Sequence, residues 1–442
     1  MADVRPFPGI RYQDTADIAQ FVAPPYDVIS PDLQRRLYER HPHNIVRLEL
    51  GLSTPDDDQL NNVYSRAART FAEWRRDGIL RQDPPSLYIY EQRFSVGQQR
   101  HARVGLCARV RLEPWEAGVI LPHERTLSKP KDDRLHLMRA CAANLSPIMT
   151  LYQDPDHTIS AMLQPYMDEP PLLQFVDDAG EEHRLWSISN EDDTKRACAF
   201  FAGRQLFIAD GHHRYETALT YRNEQAALRK EELLADDAAN FTFMTLCSLD
   251  DPGLIVLPTH RIVRQIDPAR LEHLHEALAA SFDIESLPAD MDADALVARI
   301  AQEQRRDQSA FIMVERDAVT LLTLKPSVDV RAHSNPQDVA TGASDAWWAL
   351  DVAILHELIL RQALDISAPM VQAGGYVSYT RDAAQACSAV RAGTDDAQLA
   401  FLMNPAPPAA VRDVARAGDR MPQKSTYFYP KLMTGLVINP VW

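Results

Sequence analysis

The sequence predicts an α+β protein, a mixed sheet with helices packed on it, and three observations carry that expectation. Short apolar runs of strand length, such as Leu87–Tyr90, Ala102–Val110 and Phe243–Ser248, are interleaved with stretches of helical periodicity. Some of these runs come in hairpin-like pairs and others stand alone between helical segments. One run, Phe207-Ile208-Ala209, feeds a turn of unusual chemistry, Asp210-Gly211-His212-His213-Arg214, after which a helix-like segment begins at Tyr215.

That strand, turn and helix start is where the chain concentrates its chemistry. A helix N-terminus aims backbone N–H groups and the positive end of its dipole at one point, so an anion placed there meets oriented donors. Gly211 permits close approach to the backbone, while His212, His213 and Arg214 supply side-chain donors, Arg214 through a planar fork that matches two phosphate oxygens. Asp210 would repel a bare phosphate, so it calls for a bound metal ion or a role as base towards a hydroxyl. The plainer alternative is that Asp210 caps the helix, Gly211 turns the chain and the histidines are surface residues.

With 442 residues the chain can bury an ample core and supports two or three domains. Hydrophobic residues make up 45% and charged residues 24%, the composition of an ordinary globular protein. The formal net charge of −16 argues against binding nucleic acid or anionic membrane through bulk electrostatics. Five scattered cysteines with no CxxC pair read as reduced thiols of a cytosolic protein, and neither a signal-like N-terminus nor a membrane span is expected.

In chain order, Ala23 to Ser30 reads as an extended turn set by Pro24 and Pro25, with Ser30 and Pro31 opening a short helix. His41 to Leu50 reads as a loop feeding a strand. Asp27, His43, Asn44 and Arg47 are candidates to reach a site from this end, with turn and cap chemistry as the alternative. Leu60, Val63, Tyr64, Ala67, Phe71 and Trp74 mark a packing helix over Asp56–Asp77, and a hairpin is expected around Gly97. Leu121 to Arg134 is polar and interrupted by prolines, and predicts a surface loop followed by a helix over Arg134–Ala143. Glu124 is its best candidate for a general base, and His123, Arg125, Lys129 and Lys131 can attract phosphate or carboxylate; a solvated charged loop is the alternative.

Further strands are expected over Ser146–Tyr152, His183–Ser189 and Gln205–Ala209, and helices over Asp192–Phe201 and from Tyr215 to about Leu234. Leu254–Leu257 ends in another polar cluster, Pro258-Thr259-His260-Arg261. Beyond it come amphipathic helices around Leu271–Phe282 and Ala293–Gln304, a hairpin over Ala310–Glu315 and Val319–Leu324, a linker-like stretch over 326–345, and an apolar helix over Trp347–Leu364. The chain closes with Met421 to Leu432, where Lys424 and Lys431 can reach an anion or, alternatively, the aromatics form an edge strand. These textures divide the chain into an N-terminal region, 1–262, and a mixed α/β C-terminal region, 263–442.

The strings PPYDVIS, LPHERTLSKPKDDR, ANLSPIMTLY, LFIADGHHRYETAL, LPTHR and MPQKSTYFYPKL together resemble the domain-of-unknown-function family numbered ten-fifteen, with matches from Pro24 to the C-terminus. Residues 121–235 also bear a remote resemblance to the fold shared by sulfiredoxin, the nucleotide-binding domain of the partition protein ParB and the archaeal free-serine kinase. The resemblance implies a ParB/sulfiredoxin-like nucleotide-binding core around a strand-turn-helix phosphate cradle at Gly211–Arg214. The place of the sulfiredoxin cysteine is taken by His212, and the acidic balance speaks against ParB-like DNA partitioning. The kinase's turn also begins with an aspartate.

The expectation drawn from both readings is a cytoplasmic ATP- or ADP-dependent phosphotransferase acting on a small hydroxyl metabolite, with free serine the most concrete candidate. Gly211, His212, His213, Arg214, Lys129, Lys424 and Lys431 would hold phosphate; His123, Arg125, Asp27 and Arg47 would meet substrate; Asp210, Glu124 and His213 would carry the chemistry, with Mg²⁺ on Asp210. A non-catalytic nucleotide-binding regulatory or scaffold protein of the ParB-like class is the alternative. A transition metal on the double histidine ranks last, because adjacent side chains diverge at a helix start.

Overall fold

The computed structural model describes residues 2–126, 128–229, 233–333 and 342–442, without the side chains of 128–130 and 333. It is a mixed α+β structure that divides into two compact units, residues 1–255 with 430–442, and residues 256–429. The division therefore falls near residue 255 rather than 262, and the last thirteen residues return to the first unit. Texture along the chain could not register that return, because a segment's partner is set by topology.

The first unit is built on a nine-stranded sheet. Its strands are β1 (Val4–Arg5), β2 (Leu87–Val96), β3 (Gln99–Arg111), β4 (Ile120–Leu121), β5 (Ile148–Tyr152), β6 (Leu173–Val176), β7 (Glu182–Ile188), β8 (Leu206–Asp210) and β9 (Phe241–Ser248). They run in the order β4-β8-β5-β9-β3-β2-β7-β6, with β1 paired to β3. The sheet is mixed: β8 is parallel to β4 and antiparallel to β5, and β5 is parallel to β9. The hairpin expected around Gly97 is β2–β3, in register from Tyr88↔Cys107 to Val96↔Gln99. All eight residues of β9 are buried, which is why that run carries no charged residue and reads as predominantly apolar.

The helices of this unit that bear on the site are α1 (Pro31–Arg40), α2 (Val46–Glu49), α3 (Val63–Arg76), α4 (Ser128–Cys141) and α5 (His212–Arg229). Ser30 caps α1 through the amide of Leu33, as the Ser-Pro start predicts. Asn62 and Ser65 form a reciprocal capping box, so α3 starts seven residues later than the apolar spacing alone indicates. The strand expected after His41 is instead the short helix α2, because Asn44 turns the chain: its Oδ1 accepts the Val46 amide and its Nδ2 donates to the carbonyls of Gln20 and Val22. The loop expected over 121–134 is helical from Ser128 onward; Pro130 falls in the first turn, where proline's missing N–H costs nothing. α5 begins at His212 rather than Tyr215, which puts both histidines and Arg214 in its first turn. Its inner face, with Tyr215 and Ala218, packs on Ile208, Ile148 and Met244 of the sheet.

The second unit holds a six-stranded antiparallel sheet formed by β10 (His260–Val263), β11 (Phe282–Leu287), β12 (Ala310–Val314), β13 (Val319–Leu324), β14 (Val377–Thr380) and β15 (Leu399–Met403), ordered β11-β13-β12-β15-β10-β14. Helices α6 (Ala293–Gln304) and α7 (Ala383–Ala392) cover one face through Leu296, Ile300, Ala386 and Val390. The apolar helix expected over Trp347–Leu364 is broken: Asp345–Trp348 and Asp351–Ile354 are separate turns, and Leu355–Ala363 continues as a π-helix. Of the linker-like stretch over 326–345, residues 334–341 lie outside the described residues. No helix among the described residues is long and apolar enough to cross a membrane.

Candidate functional site

The site is built at the end of β8. Pairing with β5 shifts register between Ile208 and Asp210, a bulge-like irregularity after which Asp210 still pairs with Met149, the last rung before the turn. Gly211 follows with φ +94°, a backbone conformation that disfavours any side chain. A Cβ there would also stand 2.9 Å from Nε and 3.0 Å from Cζ of Arg214, whose guanidinium folds back over the glycine. The turn thus uses glycine twice, for its dihedral and for its lack of bulk. The helical bond from the Tyr215 amide to the Gly211 carbonyl, 3.0 Å, closes the first turn of α5.

Asp210 is the centre of an ionic cluster. Arg214 Nη2 donates to its Oδ2 at 2.6 Å, and Lys431 Nζ donates to its Oδ1. Arg214 Nη1 donates to the Pro147 carbonyl at the start of β5. Burial alone would raise the Asp210 carboxyl, but Lys431 and Arg214 outweigh it and hold the group well below the usual carboxylate range. This changes the role expected of Asp210. A carboxylate with a cation on each oxygen is a poor base, and a divalent ion beside it would meet two like charges. The cluster carries net positive charge at a helix N-terminus, and that suits an anion.

The two histidines do different things. His212 is buried, and its Nε2 accepts the backbone N–H of His123 at 3.2 Å. His123 is fully buried, and its Nδ1 donates to the Ile208 carbonyl at 2.7 Å; the two rings meet edge to face at 4.7 Å. His123, expected to meet substrate, therefore clasps the 122–124 segment to β8. His213 is half-buried; burial, helped by Lys131 and Arg214 against Glu216 and Asp27, holds its pKa below the ordinary 6.5, so it is neutral at pH 7.

The remaining candidates divide. Asp27, exposed on the turn Tyr26–Val28, acts electrostatically on both His213 and Arg214, so the PPYDVIS segment reaches the cluster. Lys131 is drawn to α5 by Glu216 Oε2, 2.8 Å from its Nζ, and Thr126 donates to the same oxygen at 2.7 Å. Glu124 is partly exposed, with its Oε1 3.9 Å from His123 Nε2, and Arg125 is exposed. Arg47 is occupied elsewhere: its Nη2 donates to the Tyr38 carbonyl at 2.7 Å and its guanidinium stacks over the Tyr38 ring. Lys424 belongs to the second unit, and the side chain of Lys129 lies outside the described residues.

A second ionic group beside the turn was not singled out in the sequence. Arg134 Nη1 donates to Glu49 at the carbonyl (2.8 Å) and at Oε1 (3.3 Å), and its Nε and Nη2 donate to Asp133 Oδ2. Ser146 Oγ donates to Glu49 Oε1, the Tyr64 hydroxyl donates to Asp133, and the Arg134 guanidinium lies 4.2 Å from the centre of the Tyr26 ring. Glu49 and Arg134 line two adjoining cavities, one of about 370 Å³ reaching Gln34, Ser53 and Tyr64, the other of about 40 Å³ reaching Arg214. Arg134 stood in the KPKDDR string, but Glu49 was hidden in the apolar run Val46-Arg47-Leu48-Glu49-Leu50, where a buried carboxylate looks like an ordinary polar interruption.

Fold and site together define an α+β protein with a strand-turn-helix junction at which an aspartate is held between an arginine and a lysine. Residues 4–353 match the family described as "Protein of unknown function (DUF1015)", and the chain belongs to that family. No curated protein sequence matches it. Among solved structures it is similar to a free serine kinase variant in complex with ADP, at 10% identity over 75% of this chain and 92% of that one, with a TM-score of 0.35. It is also similar to a conserved hypothetical protein from Pyrococcus furiosus (12% identity, 75% and 95% coverage, TM-score 0.33) and to SbnI with a C-terminal truncation from Staphylococcus aureus (10%, 74% and 86%, 0.33).

Proposed function

We propose that the protein is a nucleotide-dependent phosphotransferase acting on a small hydroxyl metabolite, with a ParB/sulfiredoxin-like core over about 121–235 and free serine as the most concrete acceptor. One observation carries the reading: the carboxylate that would repel a phosphate at the head of α5 is neutralised by Arg214 and Lys431, which leaves the turn positive, with the Arg214 guanidinium lying over the glycine backbone. In this reading the Gly211 amide, Arg214 and Lys431 hold phosphate oxygens of ATP or ADP, and neutral His213 donates one hydrogen bond. Asp210 positions the two cations, and Mg²⁺ arrives on the nucleotide. Glu124 is the base that accepts the hydroxyl proton, and Asp27 faces the substrate.

The alternative, a non-catalytic nucleotide switch, draws on the same contact: Lys431 lies on the returning C-terminal segment, so an anion that competes for it would loosen that segment from the turn. Thermal unfolding with Mg²⁺ and ATP, ADP, CTP or pyrophosphate tests the cradle. A ligand at about a hundred times its Kd stabilises the folded state by about 2.7 kcal/mol. A shift that vanishes in Lys431→Met supports the cradle, and no shift with any of these ligands overturns it. Phosphoryl transfer to serine and related alcohols then separates enzyme from switch.

A further inference from the structure

The string Pro258-Thr259-His260-Arg261 ends an apolar run and opens β10, a strand flanked on both sides by β14 and β15. On that strand Arg261 stands opposite Tyr379 on β14 and Phe401 on β15. Its side chain is 1% exposed. Its guanidinium donates to the Thr259 carbonyl, to Met403 Sδ at 2.8 Å and to the Lys424 carbonyl at 3.3 Å. These acceptors satisfy hydrogens but carry no charge. Among the described residues no carboxylate acts on it, and burial pulls its pKa down to about 10, with only the Tyr379 phenol opposing.

A buried cation without a counter-charge is costly, so its surroundings matter. Arg261 Nε is buried without a hydrogen-bond partner. Two further groups share that condition: the Tyr379 hydroxyl, whose ring centre lies 5.5 Å from Arg261 Cζ, and Nε2 of His356, which feels the Arg261 charge. His356 sits on the π-helix Leu355–Ala363, a local geometry that recurs at functional sites. Lys424, whose carbonyl Arg261 grips, is an exposed lysine at φ +56°, a left-handed conformation uncommon for this residue.

We infer that the second unit carries an anion-binding site, in which Arg261 Nε, the Tyr379 hydroxyl and His356 Nε2 donate to a phosphate or carboxylate group, with Lys424 at its rim. Each donor can supply an N–H or O–H, and together with the guanidinium charge they meet the acceptors and the charge of one such group. The site shares no residue with the cradle at Asp210: every residue in it belongs to residues 256–429.

The test is made in the full chain carrying Arg214→Ala and Lys431→Met, which removes both cations of the proposed cradle. Unfolding midpoints are measured in HEPES without chloride, with added inorganic phosphate or acetate. A concentration-dependent rise with either anion is expected, phosphate and acetate distinguishing a phosphate from a carboxylate ligand. Adding Tyr379→Phe is expected to weaken the apparent affinity at least about tenfold, as the loss of one hydrogen bond to a charged group does. Adding Arg261→Met should abolish the effect, and His356→Gln provides an independent arm if that variant does not fold. No rise with either anion, or a rise unchanged by Tyr379→Phe and His356→Gln, overturns the inference.

Discussion

Replacing Asp210 with asparagine should weaken the fold and strengthen the grip on anions at the same time. The substitution removes one negative charge and little volume. It leaves Arg214 and Lys431, whose side chains are 11% and 14% exposed, facing each other across a neutral amide. Removing one partner of a buried ion pair costs about 3–5 kcal/mol. Asparagine keeps one acceptor oxygen, so about 3 kcal/mol is expected, or a fall in Tm of roughly 6–12 °C. The penalty should depend on pH. Because the folded state holds the Asp210 carboxyl below its ordinary 3.8, the stability it contributes is present above pH 4 and is lost as pH falls towards the folded-state value. The gap between wild type and Asp210→Asn should therefore close in acid. Meanwhile the cluster gains a net positive charge, so pyrophosphate should bind Asp210→Asn more tightly than wild type, measured by titration calorimetry at neutral pH. An unchanged Tm, or weaker pyrophosphate binding in a folded variant, would refute the placement of Asp210 as the neutraliser of a cationic anion site.

Four further substitutions probe the same region. Gly211→Ala forces a side chain into positive φ and against Arg214, and should cost about 1–3 kcal/mol in thermal unfolding and reduce nucleotide-dependent stabilisation. Glu49→Gln leaves the buried Arg134 without one of its two carboxylates, and should lower stability by about 3 kcal/mol in urea unfolding, with Ser146→Ala milder. Glu124→Gln should leave nucleotide affinity within about twofold and reduce phosphoryl transfer by about 10²–10⁴ if Glu124 is the base; a variant with full turnover would remove it from that role.

Much of the architecture was legible because it is local. The hairpin β2–β3, the strand β12 with its partner β13, and helix α6 follow from period and turn chemistry over a dozen residues or so, and each lies close to its expected place. The misplacements have identifiable causes of another kind. Asn44 redirected the chain at α2 through side-chain bonds to carbonyls twenty residues away, and proline at 130 was read as a breaker where it opens a helix. The turn at 210–214 stood out from its residue types alone, an Asp, a Gly, two histidines and an Arg in succession at a strand end.

The sequence by itself determined that this chain would fold as α+β, where its densest chemistry lies, and that a glycine would bend the backbone there. Tertiary structure alone decided who neutralises whom. Lys431 meets Asp210 across 221 residues, and Arg134 meets Glu49 across 85. Ion pairing of this kind leaves no period in the sequence, because it depends on which segments the sheet order brings side by side. The same holds for the tautomers of His123 and His212: a carbonyl at Ile208 and an amide at His123 set them, and both are positions that any residue types could have supplied.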